Sequence, residues 1–232
     1  SAKVSFSDRV TAERLHLGIV EKFPGYGESY ICLGQTYRER DMNEKAVEYL
    51  TKAMNSYEEA TVNKAVNILA NIRLEAGDVD GAKKLFSSLQ KKSGKRDVYA
   101  QLSLANIEFQ AAMNNEGRKR EDHLNFALKI YKRVLQKDDS NIYAANGIGM
   151  VLAERGHLTF ARDIFTKVRE AALDVPDPTI NLAKVQIQLK KIPAAIQLLQ
   201  TCIQSFGPGD GGVHLSYLAA AYRTAGKHED CL

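Results

Sequence analysis

The stretch NIYAANGIGMVLAERGHLTFARDIFTKVREA, residues 141–171, decides the fold. Its apolar and small residues fall into two helical stripes, Ile148, Gly149 and Leu152 and then Ala161, Phe165 and Val168. Gly156-His157 stands between them, where a helix terminator with positive φ is expected. Two antiparallel helices cross closely only where small side chains sit at the crossing with a large apolar one beside them. Gly149 and Ala161 supply the small residues and Phe165 the large one.

Working outward, the same pair recurs at a fixed period. Small residues stand at Ala12, Ala46, Ala82, Ala127, Ala161 and Ala195, in steps of 34, 36, 45, 34 and 34. A second series, Gly34, Ala70, Gly149, Ala183 and Ala219, lies 12 positions before most of the following small positions, the last of them Cys231. Ala105 precedes Ala127 by 22, so this repeat carries a ten-residue insertion. Stripes accompany each pair, such as Tyr30, Leu33, Gly34 and Tyr37 with Ala46, Leu50 and Ala53. Gly77-Asp78 and Gly226-Lys227 repeat the turn chemistry of Gly156-His157. No segment alternates with a period of two. The expectation is an all-α, right-handed superhelical stack of antiparallel helix pairs.

Composition narrows the function. With 32 Lys and Arg against 28 Asp and Glu, the net charge of +4 is too balanced to imply nucleic-acid binding, and direct binding of that kind is not expected. Cys32, Cys202 and Cys231 are too scattered for a disulfide framework or a zinc site. The longest uncharged stretch, Ile192 to Gly209, is interrupted by glutamines, prolines and glycines, so no membrane span is expected. The five histidines, His16, His123, His157, His214 and His228, show no ligand spacing with Cys, Asp or Glu, and no metal is expected. Gly207 to Gly212 lacks the strand before it and the Lys-Ser/Thr after it that a phosphate loop requires, and reads as a flexible connection. The basic runs Lys91 to Arg96 and Arg118 to Arg120 read as solvated loops. No nucleophile–base arrangement is legible, so no enzyme, catalytic residue or cofactor is expected.

The 34-residue unit, with small residues near its eighth and twentieth positions, closely resembles the tetratricopeptide repeat. The resemblance covers nearly the whole chain. It places a half repeat at 1–26, repeats at about 27–60, 63–96, 98–141 (with the insertion at 112–122), 142–175 and 176–211, and a half repeat at 212–232. The usual tryptophan is absent throughout, and Arg73 stands at an apolar position. Because both ends stop inside a repeat, the chain reads as a fragment of a longer protein. The insertion's charge favours exposure, so its residues are expected to leave the packed stack, either lengthening a helix or looping out beside it.

In such repeats the first helices line the usual binding groove. The groove-facing positions carry Asn67, Asn71, Asn106 and Asn146, flanked by Tyr99, Phe109, Tyr143, Met150 and Lys184. Amides at this recurrence could pair with the backbone of an extended segment. The alternatives are that they are solvated polar residues or that they contact the neighbouring repeat. A carboxylate-clasping groove would need cationic forks where this chain has Ile31 with Gln35, Asn146 with Met150 and Val213 with Tyr217, so that mode is disfavoured.

Asn141 to Gly149, Val151-Leu152-Ala153, Gly156, Ala161 to Phe165 and Val168 to Ala171 carry a closer resemblance. Together with Asn181-Leu182-Ala183 and the charged insertion before Ala127 to Lys132, they resemble the tetratricopeptide scaffold subunit of the RNA polymerase II-associated factor complex. That resemblance implies a nuclear, non-enzymatic protein–protein interaction scaffold in transcription elongation and the histone modification coupled to it. Its partners would be other subunits of the complex, and through them RNA polymerase II and chromatin. A peptide-binding adaptor of another assembly, or the regulatory repeats of an enzyme, are the alternatives.

Overall fold

The computed structural model describes residues 6–92 and 97–226, and within them twelve α-helices and no strand. Cys231 and His228, and Ser93 to Arg96 of the first basic run, lie outside the described residues. The chain divides into two compact units, 1–107 and 108–232. The division falls inside α6 (Val98–Met113).

The first unit contains α1 (Phe6–Lys22), α2 (Gly27–Arg38), α3 (Asn43–Ala53), α4 (Glu59–Glu75), α5 (Val79–Lys92) and the start of α6. The second contains the end of α6, α7 (Gly117–Lys137), α8 (Ile142–Glu154), α9 (Leu158–Ala171), α10 (Asp177–Gln188), α11 (Ile192–Phe206) and α12 (Val213–Thr224). Helices α2 and α3, α4 and α5, α8 and α9, and α10 and α11 pack as antiparallel neighbours.

The recurrent small residues are where the helices touch. Ala46, Ala82, Ala127, Ala161 and Ala195 are all 0% exposed. Four residues after each comes the large partner that closes the layer: Leu50, Phe86, Tyr131, Phe165 and Leu199, each at most 1% exposed. Burying a side chain of this size contributes about 1.5–3 kcal/mol. Arg73, which breaks the apolar pattern, is exposed and bonds the Asp78 carboxylate at 2.9 Å. Asp78 in turn accepts from the Gly81 N–H at 2.9 Å, so the pair holds the turn into α5 rather than the core.

Helix ends follow their local chemistry. Asp97 accepts from the Ala100 N–H at 2.8 Å at the start of α6, and Asn141 from the Ala144 N–H at 3.0 Å at the start of α8. Pro178 and Pro193 sit in first turns, where no N–H is needed.

Four connections within helix pairs share one geometry. Met42 N bonds Tyr37 O, Asp78 N bonds Arg73 O, His157 N bonds Leu152 O and Lys191 N bonds Gln186 O, all at 2.8–2.9 Å. The residue just before each donor has positive φ: Asp41 (58°), Gly77 (81°), Gly156 (79°) and Lys190 (62°). Two of these terminators are therefore not glycine, which the sequence had concealed. A left-handed non-glycine residue costs roughly 1–2 kcal/mol, partly offset by glycine's larger loss of entropy on folding. Lys190→Gly is thus expected to stabilise the chain by about 0.5–1 kcal/mol, read as a raised denaturant midpoint with an unchanged slope. A lowered midpoint would mean that the Lys190 side chain contributes more than its backbone strain costs.

The insertion does not loop out. α6 runs on to Met113, α7 begins at Gly117, and the additional residues lengthen the helices. Ala112 is fully buried. Arg118, Lys119, Glu121 and Asp122 are exposed as their charge requires, but Arg120 is half-buried and bonds Glu154 Oε2 at 2.6 Å. Glu121 pairs with Arg155, whose guanidinium also donates to Asn125 Oδ1 at 2.8 Å. His123 Nδ1 meets Glu108 Oε2 at 2.6 Å, a pair 15 residues apart that ligand-spacing rules do not look for. These contacts bind the front of α7 to the end of α8 and to α6, so the segment belongs to the folded unit.

The Gly207 to Gly212 connection is likewise tied to the helix that follows it. His214, 6% exposed, bonds the Gly207 carbonyl through Nδ1 at 2.9 Å, and its backbone N–H bonds the Pro208 carbonyl at 3.0 Å.

Candidate functional site

The candidate residues fall into two sets, one in each unit. In the first unit, Asn67 and Asn71 lie one turn apart on α4 and both reach toward α6. Asn67 Nδ2 donates to Asp97 Oδ2 at 3.1 Å, and Asn71 Nδ2 donates to the Tyr99 hydroxyl at 2.6 Å. Tyr99 is 49% exposed and leans on Phe86, with ring centroids 6.3 Å apart. The Asn67 Oδ1 atom is buried without a hydrogen-bond partner. Asn106, further along α6, is exposed.

In the second unit, Asn146 on α8 accepts from Asn181 Nδ2 on α10 at 3.2 Å, and its own amide approaches Met150 Sδ at 3.7 Å. Lys184 on α10 places its ammonium 4.1 Å from the centroid of the Tyr217 ring on α12, a cation–π contact. Tyr143 is 59% exposed at the start of α8. The first helices α8, α10 and α12 are thus joined by polar contacts along one face.

These contacts change what the amides can do. Asn67, Asn71 and Asn146 each engage a neighbouring side chain, and in all three the amide N–H group has a partner. Their geometry favours stitching adjacent helices over presenting a free hydrogen-bonding ladder. The sequence did not disclose Asp97, Asn181 or Tyr217 as the partners, because each lies about a repeat away. The signal that could have found them is the repeat offset itself, since Asn146 and Asn181 are 35 residues apart.

Phe109 is not on this face. It is 8% exposed and belongs to the buried stripe of α6 with Ala105 and Ala112, which follow the i, i+4, i+7 spacing of a helix face. Ile31, placed at a groove position by the repeat frame, is 0% exposed, because α2 is enclosed by α1, α3 and α4.

Other chemistry is quiet. Among the described residues no group of three or more His, Cys, Asp or Glu is placed to hold a metal. Burial pushes the Cys32 thiol above its ordinary pKa, with a further push from Glu28; burial does the same at Cys202, with Asp177 adding to it. Both are therefore poor nucleophiles at neutral pH. No helix among the described residues is long and apolar enough to cross a membrane.

Comparison with known proteins agrees with this arrangement. No protein-family profile matches the chain. A protein named CTR9 homolog from Arabidopsis thaliana is 34% identical over 221 residues, 92% of this chain and 20% of that protein. The RNA polymerase-associated protein CTR9 of Caenorhabditis elegans is 29% identical over 222 residues, 93% of this chain and 19% of that protein. The chain therefore spans about a fifth of the length of these relatives. Among solved structures, a thermophilic tetratricopeptide protein from Thermus thermophilus superposes with a TM-score of 0.69 at 18% identity, covering 85% of this chain and 99% of its own. With helix pairs of the tetratricopeptide type among its described residues, and sequence similarity along nearly all its length, the chain has the tetratricopeptide-repeat fold and is similar to the CTR9 proteins over about a fifth of their length.

Proposed function

We propose that this segment is a non-enzymatic protein–protein interaction scaffold within a transcription elongation assembly of the RNA polymerase II-associated factor type. On this reading it works in the nucleus, beside elongating polymerase and the histone-modifying steps coupled to it. The observation that carries the reading is the 34% identity to a CTR9 homolog across 92% of the chain. The structure supports it through repeated helix pairs that leave aromatic side chains exposed on first helices, the kind of surface that binds other chains.

The partner-binding surface on this proposal is the first-helix face: Asn67, Asn71, Tyr99 and Asn106 in the first unit, and Tyr143, Asn146, Met150 and Lys184 in the second. Several amides already stitch helices together, and the exposed Tyr99, Asn106 and Tyr143 present surface to a partner. Aromatic anchors of this kind carry much of the energy of protein interfaces. The full-length protein carrying Asn106→Ala and Tyr143→Ala is expected to retain its partner subunits about tenfold less well. Its helical content and melting temperature should match the parent, since both side chains are exposed. Unchanged co-purification of elongation subunits would remove this face from the proposal. A co-purifying set without elongation subunits, in the parent as in the variant, would overturn the assignment to that assembly.

A further inference from the structure

The second helices of the repeats carry a feature that the first-helix reading does not use. On α7, Asn125, Leu128, Lys129, Lys132, Arg133 and Gln136 share one face and line a shallow groove of about 460 Å³. Lys129 and Lys132 are exposed and Arg133 is half-buried. Among the described residues none of the three makes an ion pair, whereas Arg120 on the same helix pairs with Glu154. Lys129 stands three residues from Lys132 and four from Arg133, the spacings at which like charges on a helix repel. Phe126, 51% exposed, sits one turn before them.

The corresponding faces of the next two repeats show that the fold does not require this. Thirty-four residues on, α9 carries Arg162, Asp163, Lys167 and Glu170, two charges of each sign, with Arg162 Nη2 bonded to Asp163 Oδ1 at 2.7 Å. On α11 the same positions hold Ile196, Gln197, Gln200, Thr201 and Gln204, with no charge at all. Of these three faces, that of α7 alone concentrates uncompensated positive charge beside exposed apolar surface.

We propose that this face of α7 docks an acidic protein segment. Its carboxylates would meet Lys129, Lys132 and Arg133, and an apolar side chain would lie against Phe126 and Leu128. A protein segment fits better than a nucleic acid. The three cations span roughly 6 Å of helix, too short to follow a phosphate backbone, and Glu121 and Asp122 on the same helix repel one. The site is on second helices, so it is separate from the first-helix face above.

The test uses the 232-residue chain and a fluorescein-labelled peptide of alternating aspartate, glutamate, leucine and phenylalanine, followed by fluorescence anisotropy. The peptide is expected to bind and to bind more weakly as salt rises. Lys132→Glu with Arg133→Glu should weaken it about tenfold. Arg162→Glu with Lys167→Glu makes the same change of charge on α9 and should leave the affinity within about twofold. Circular dichroism should show both variants folded. Should the charge reversal on α7 unfold the chain, Lys129→Ala with Lys132→Ala removes two exposed charges and should still weaken binding severalfold. Absence of peptide binding, equal loss in the α7 and α9 variants, or tighter binding of a single-stranded oligonucleotide of equal charge would each overturn the proposal.

Discussion

Phe165→Ala lowers the stability of the 108–232 unit by about 3–5 kcal/mol, the cost of removing a large ring from a packed interior. The ring is 1% exposed and lies in one cluster with Ala161, Leu182 and Val185, so it joins α9 to α10 as well as to α8. Gly149 comes so close that an added Cβ would stand 2.6 Å from Phe165 Cε1. A thermal midpoint lower by roughly ten degrees or more is expected by circular dichroism. Phe160→Ala is the control. That ring, on the same helix, is 66% exposed, and its loss should change stability by no more than about 0.5 kcal/mol. Equal melting of the two variants would show that α9 is turned differently from the arrangement described.

Gly147→Leu is expected to destabilise by about 3 kcal/mol, because it overpacks a closed layer. A Cβ at Gly147 would lie 2.4 Å from Tyr131 Cε1 and 2.5 Å from Cζ, and Tyr131 is 0% exposed. A rigid, enclosed ring cannot give way as the end of a flexible chain would. The Tyr131 hydroxyl is held protonated far above ordinary pH by that same burial, so ionisation offers no relief. In an unconstrained helix, glycine to alanine gains up to about 1 kcal/mol of propensity. The sign should therefore reverse between two glycines: Gly147→Ala lowers the denaturant midpoint, whereas Gly18→Ala on α1, with nothing within 4 Å of the added carbon, raises it. A stabilised Gly147→Ala chain would refute the close crossing of α7 and α8.

Much of the candidate site lay beyond the reach of sequence reasoning, and particular residues show why. Asn146 could be placed on a first helix from its position in the repeat. Its bond to Asn181 depends on how α8 and α10 are spaced, which periodicity does not encode. Phe109 stands three residues after Asn106, at the edge of the groove stripe, but four after Ala105 and three before Ala112, and packing turns it to their buried side. Arg120 and Glu121 read as solvated charge, since their partners Glu154 and Arg155 lie 34 residues on and approach only when α7 lengthens toward the end of α8.

By itself, the sequence determined the helix pairs, their turns at Gly77 and Gly156, and the layers built on Ala46, Ala82, Ala127, Ala161 and Ala195. The reason is that a close helix crossing admits only small side chains, and a left-handed terminator favours glycine, so both leave a residue-type signature at fixed spacing. Only the tertiary structure decided that the insertion is helical, that Asp41 and Lys190 act as terminators, that His214 bonds the glycine-rich connection before it, and that Asn67, Asn71 and Asn146 bond side chains of neighbouring elements. Those outcomes depend on side chains about a repeat apart, on a side chain reaching back to a loop carbonyl, or on backbone angles adopted against a residue's preference. Surrounding packing supplies the free energy for all three, and no residue type announces any of them in advance.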